Sequence, residues 1–76
     1  MKELVEFLAK SLVDDVGAVK TQAHERGQST LIELEVAPDD LGKVIGRQGR
    51  TARAIRTLLA AAGQRSRRRY NLDIVD

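Results

Sequence analysis

Cysteine and tryptophan are absent from this chain of 76 residues, and proline, histidine, tyrosine and phenylalanine occur once each. Without cysteine there is no disulfide framework, no thiolate metal site and no thiol nucleophile. A single histidine, His24, rules out a histidine-built metal cluster, and no cofactor is expected. One tyrosine and one phenylalanine are too few for the aromatic platforms on which many single-strand binders stack bases. The longest apolar runs fall far short of a membrane span, and no basic, apolar, small-residue export signal opens the chain. The expectation is a cytoplasmic protein with no membrane partner.

What is present points elsewhere. Hydrophobic residues at 42% suffice for one small core, and charged residues at 32% argue against a membrane-embedded chain. The length allows one domain, residues 1–76, and leaves nothing for a second. The net charge of +2 conceals a polarity along the chain. Residues 1–42 carry four Lys/Arg against nine Asp/Glu, whereas residues 43–76 carry nine against two. Eight of the nine late cations are arginines, the forked donor suited to phosphate. Such asymmetry implies a basic working surface rather than general solubility.

Hydrophobic periodicity gives six elements. Residues 2 to about 13 read as a helix with Leu4, Val5, Leu8 and Leu12 as its apolar stripe and Phe7 at the margin. Val19, Thr21 and Ala23 alternate with Lys20, Gln22 and His24, a first strand. A turn around Gly27 leads to a stronger strand, in which Ile32, Leu34 and Val36 alternate with Glu33 and Glu35. Two strands across so short a turn pair as an antiparallel hairpin. Pro38 stops the second, and Asp39 and Asp40 are expected to accept the free N–H groups of a short helix reaching Ile45. A longer helix follows Gly49, with Ala52, Ile55, Leu58, Leu59 and Ala62 on one face. Its expected end is about Ala62, with Gly63 as a left-handed cap. Tyr70, Leu72 and Ile74 alternate with Asn71 and Asp73 in a third strand. The predicted class is α+β, helix-strand-strand-helix-helix-strand. A three-stranded sheet covered on one face by helices buries all the stripes at once, and it is mixed if strands two and three are neighbours. Phe7, Leu31 and Val75 have no evident core place and are candidates for an oligomer face.

The chemistry concentrates in Gly42-Lys43-Val44-Ile45-Gly46-Arg47-Gln48-Gly49-Arg50. Glycines at 46 and 49 supply permissive backbone at both corners of a two-residue link between helices. The second helix starts there with unpaired N–H groups and the positive end of its dipole, which together favour an anion. Arg47, Arg50 and Arg53 stand beside that end, with Lys43 as a further candidate cation. Glycines at these corners would also let phosphates approach the loop backbone.

The run from Val44 to Arg56, with its glycine-bracketed pair, resembles the KH domain. The order of the six elements resembles the type II, largely prokaryotic, arrangement, and the likeness covers essentially the whole chain. It is closest to the small bacterial one-domain KH proteins of the KhpA-like kind. The resemblance implies RNA binding without catalysis, so no enzyme is expected. In that family the two residues between the glycines, here Arg47 and Gln48, lie against the nucleic-acid backbone, and a groove beside the two helices takes about four unpaired nucleotides. The resemblance implies a groove lining from Leu41, Val44 and Ala52, with Ile45 and Ile55 facing the core. The expected contact set is Leu41, Lys43, Val44, Gly46, Arg47, Gln48, Gly49, Arg50, Ala52 and Arg53. Many relatives carry lysine or a third glycine between the brackets and isoleucine where Ala52 stands. The implied partners are single-stranded RNA, bound with low sequence specificity in RNA regulation or ribonucleoprotein assembly, and a second copy or a larger KH-containing protein.

Three other readings compete. A double-stranded DNA reader would use Leu41 to Leu59 as helix-turn-helix, presenting Thr51, Arg53 and Arg56 to a major groove. Its first helix is too short. A nucleotide-binding enzyme would need the full G-x-x-x-x-G-K-[ST] spacing, and Gly46 is followed by Arg47-Gln48 instead. An assembly module with secondary RNA contacts is compatible with the same residues.

Overall fold

The computed structural model describes residues 1–75. Helix α1 spans Lys2–Leu12, strand β1 Lys20–Arg26 and β2 Ser29–Glu35. Helix α2 spans Leu41–Ile45, α3 Arg50–Ser66 and strand β3 Arg69–Val75. The order of elements is the one read from periodicity. Strand β2 is central: it pairs antiparallel with β1 and parallel with β3, giving a mixed sheet in the order β1-β2-β3.

Alternation decides which face of the sheet is covered. Ile32 and Leu34 of β2 and Leu72 of β3 point into the core, with Val19 and Val36 just outside the strand ends. The helices answer with Val5 and Ala9 of α1, Val44 of α2, and Ile55 and Leu59 of α3. Out-of-phase residues such as Leu31, Glu35, Asn71 and Asp73 lie on the open face and are exposed. His24 is among them, its Nε2 lying 2.5 Å from Glu33 Oε1.

Three expectations are corrected. Of the expected α1 stripe, Val5 is buried and Leu8 packs against the core, but Leu4 and Leu12 are exposed and their places are taken by Ala9 and the following Val13. Two stripes one residue apart were available, about 100° apart around the helix. The one containing Val5 and Ala9 faces inward, and both are fully buried. In α3 the core positions are Ala52, Ile55, Leu59 and Gly63, with Leu58 half exposed.

The second correction concerns Gly63. It does not end α3, which continues to Ser66 and is capped by Arg67 at φ 57°. A Cβ at Gly63 would lie 2.2 Å from the Arg68 carbonyl oxygen. Glycine is there so that the chain entering β3 can cross the helix at contact distance, and the Arg68 N–H closes the junction on the Gly63 carbonyl at 2.9 Å.

The third is Asp40, which caps no N–H group of α2. Its carboxylate is buried and points away, accepting the Asp15 N–H at 3.1 Å and the Lys43 ammonium at 3.0 Å. A buried charge needs partners, and the connection between α1 and β1 supplies a better-placed donor than the helix start.

Candidate nucleic-acid interface

Helix α2 is only five residues long and could not hold its position alone. Two contacts fix it. Val44, fully buried, packs it into the core against α3. Lys43 ties it to the α1–β1 connection by reaching Asp14 at 2.5 Å as well as Asp40. These two carboxylates raise the Lys43 pKa above its ordinary value, Asp14 most strongly. The Asp15 N–H, and then Lys43, hold the Asp40 carboxyl below its ordinary range. Lys43 therefore braces the loop from below, its ammonium paired with two carboxylates of the fold.

The link between α2 and α3 is a single tight turn over Arg47–Gly49. Gly46 adopts φ 79°, ψ 170°, a conformation essentially confined to glycine. Gln48 and Gly49 are both left-handed, at φ 57° and φ 75°. The Gly49 N–H closes the turn on the Gly46 carbonyl at 3.1 Å. A Cβ at Gly46 would strike Thr51, at 2.2 Å from its hydroxyl and 2.7 Å from its backbone nitrogen. At Gly49 a Cβ would meet open space. The two glycines thus differ. Gly46 lets the start of α3 pack against the turn, correcting the expectation that its missing Cβ faces a ligand, whereas Gly49 leaves the outside of the turn clear.

This geometry pushes Arg47 and Gln48 into solvent at the apex. Behind them α3 begins without a side-chain cap and without an acidic residue in its first turn. Arg50 and Arg53 are exposed along the start of that helix. Arg50 donates to the Gln48 side-chain carbonyl at 3.3 Å, the only side-chain bond found within the turn among the described residues. No carboxylate among the described residues engages Arg47, Arg50 or Arg53. Cations at a helix N-terminus repel the positive end of its dipole. Three arginines without carboxylate partners around a start that lacks a side-chain cap form an arrangement that an anion completes.

The apolar side of the site departs from expectation. Val44 and Ala52, anticipated in the groove lining, are 0% and 3% exposed and belong to the interior. Ile45, anticipated in the core, is 39% exposed beside Gly46. Ile55 is buried as expected, and Leu41 is half-buried against the core. Neighbouring residues on α2 point about 100° apart, so only one of Val44 and Ile45 can face inward. Ile45 is the exposed apolar residue beside the turn that the sequence reading placed in the core. Its adjacency to Gly46, with a second apolar residue already available for the core, was the signal.

A turn bracketed by two glycines, joining a short helix to a basic one over a mixed three-stranded sheet, defines a KH domain of type II. The KhpA/KhpB KH-domain family matches residues 2–74, and the chain belongs to that family. It is 53% identical over 76 residues to "RNA-binding protein KhpA" of Halalkalibacterium halodurans, covering 100% of both chains. It is 53% identical over 74 residues to the Borreliella burgdorferi protein of that name, covering 97% of this chain and 90% of the relative. The Aquifex aeolicus protein of the same name is 46% identical over 76 residues, covering 100% and 96%. No solved structure matches. No group of His, Cys, Asp and Glu among the described residues could hold a metal ion, and no helix there is long and apolar enough to cross a membrane.

Proposed function

We propose that this protein, acting as one 76-residue domain, binds single-stranded RNA through the Gly46–Gly49 turn and the start of α3. The observation that carries the reading is the uncapped, acid-free start of α3, ringed by Arg47, Arg50 and Arg53 without carboxylate partners. Phosphates meet the turn apex and the positive end of the α3 dipole. Arg47 and Arg50 pair with them, and Gln48 supplies a neutral donor and acceptor. Ile45 offers an apolar wall to a base beside half-buried Leu41, while Val44 and Ala52 only pack the helices together underneath. Lys43 acts indirectly, by holding α2. Phosphate contacts supply most of the affinity, and the small wall gives modest sequence preference. The names of the relatives support an RNA ligand, and such a ligand puts the work in the cytoplasm.

A pairing role accompanies this reading. Phe7 is 67% exposed and Leu58 51% exposed, large apolar side chains beyond what this core uses. A second copy, or a larger KH-containing protein, would cover one of these faces, consistent with a part in RNA regulation or ribonucleoprotein assembly. Sedimentation at micromolar concentration that shows only an 8.4 kDa species contradicts self-association.

The test of RNA binding is a titration with unpaired RNA, hairpin RNA and a blunt DNA duplex at equal salt. Unpaired RNA is expected to bind tightest, with a slope of log affinity against log salt of about −2 to −3. Equal or tighter binding to the duplex contradicts the reading.

A further inference from the structure

The far end of α3 carries a second basic cluster that the turn does not use. Arg65, Arg67, Arg68 and Arg69 fall within five residues where α3 gives way to β3. Favourable interaction with the helix C-terminus accounts for a cation in the last turn. It does not account for Arg69, which is already in the strand. One of the four is used by the fold: Arg68 donates to the Thr30 hydroxyl at 2.8 Å and to Glu25 at 3.0 Å. That pairing fixes its guanidinium at the head of the sheet. Arg67 and Arg69 are exposed and engage no carboxylate among the described residues.

Two hollows open beside these side chains. One, of about 390 Å³, is lined by Gln28, Ser29, Gly63, Arg67, Arg68 and Arg69. The other, of about 400 Å³, is lined by Ala60, Gln64, Tyr70 and Asn71 together with Arg68 and Arg69. Neither lining contains an acidic residue. Guanidinium groups and the Ser29 hydroxyl suit phosphate oxygens, the amides of Gln64 and Asn71 can read a base edge, and half-buried Tyr70 offers part of a ring. Arg67 also holds a left-handed φ of 57° where glycine would be unstrained, so a cation occupies the position at a conformational cost.

We infer that the α3–β3 junction is a second anchoring site for the phosphate backbone of single-stranded RNA, engaging a strand that is already held at the Gly46–Gly49 turn. The inference rests on the RNA-binding reading of that turn. A helix of 17 residues separates the two sites by about 25 Å. An RNA of about four nucleotides fills the first site alone, whereas one of about twelve engages both. Length, not sequence, then sets the affinity, and the two sites act on one strand as linked contacts.

The experiment titrates unstructured RNAs of about four and about twelve nucleotides against three proteins: the unaltered chain, an Arg67→Gly/Arg69→Gln variant, and an Arg47→Asp/Gln48→Asp variant. Glycine at position 67 removes the cation and relaxes the left-handed backbone, so the first variant melts at or near the temperature of the unaltered protein. It is expected to lose about tenfold in affinity for the longer RNA, with its salt slope shallower by about 1.4, and to bind the shorter RNA unchanged. Unchanged binding of the longer RNA overturns the inference, as does an equal loss on both lengths, which would make the junction part of the first site. If the Arg47→Asp/Gln48→Asp variant binds both RNAs as the unaltered chain does, the reading of the turn fails instead.

Discussion

Gly46 and Thr51 touch across the turn so closely that no side chain fits between them. A Cβ on Gly46 would stand 2.2 Å from the Thr51 hydroxyl and 2.7 Å from the Thr51 backbone nitrogen. A rotamer change could move the hydroxyl but not the backbone, so the contact fixes the angle at which α3 leaves the turn. The glycine-bracketed pair is therefore asymmetric: its first glycine is an internal packing element and its second a conformational one.

Alanine at the two positions should separate these roles. Gly46→Ala combines a glycine-only conformation with a backbone clash and is expected to destabilise the protein by about 2–4 kcal/mol. Gly49→Ala meets open space and carries only the left-handed penalty of about 1 kcal/mol. In a protein of this size each kcal/mol shifts the melting temperature by about 4–8 °C, so thermal melts resolve the difference. Equal losses at the two sites would contradict the packing role of Gly46.

Gly63→Ala sets two effects against each other. Alanine gains up to about 1 kcal/mol of helix propensity over glycine. The new Cβ would lie 2.2 Å from the Arg68 carbonyl oxygen, and overpacking against backbone costs about 1–3 kcal/mol. The clash is expected to win, giving a net loss of about 1–2 kcal/mol by chemical denaturation. A stabilised variant would show that the α3–β3 junction yields easily.

The strut beneath the turn predicts a pH dependence. Asp40 titrates below its ordinary 3.8, so its contribution to stability is present above that value and is lost as pH falls through the lowered one. Lys43 titrates above its ordinary 10.5, so its contribution is complete below that value and is lost only as pH rises through the raised one. Asp40→Asn keeps an acceptor for the Asp15 N–H and removes the charge. At neutral pH it is expected to melt below the unaltered protein, with the gap closing as pH falls below about 3.8. Melting curves from pH 7 to pH 3 check this, and a constant gap would mean that the carboxylate charge is not what matters.

Much of this was legible in the sequence, and the exceptions have physical causes. Period-two alternation in β2 and β3 and the α3 stripe from Ala52 to Ala62 leave little freedom in element order, whereas the pairing of β2 with β3 is fixed only by the fold. Where two residues competed for one inward position, the pattern did not choose. Leu4 against Val5 and Val44 against Ile45 are settled by the fold, which buries Val5 and Val44 and leaves the other two exposed. Gly63 reads as a helix end because glycine often caps helices; its actual role depends on a chain five residues later crossing over it. Asp40 looked like a cap because it precedes a helix, and only the fold brings the Asp15 N–H within reach of its carboxylate. The arginine cluster of the candidate interface could be read directly, since exposed charge needs no packing to specify it.

On the proposed reading, the turn apex contacts RNA and does not support the fold. The most direct measurement is the affinity of Arg47→Asp/Gln48→Asp for single-stranded RNA, read beside its melting temperature. Both side chains are exposed, and aspartate tolerates the left-handed backbone at position 48 better than most residues, so stability should change by less than about 1 kcal/mol. Binding loses one cation and gains two charges facing phosphate, an expected fall of at least about thirtyfold, or roughly 2 kcal/mol. Near-complete loss of binding at an unchanged melting temperature is the predicted result. Unchanged affinity in a fully folded variant would contradict the account.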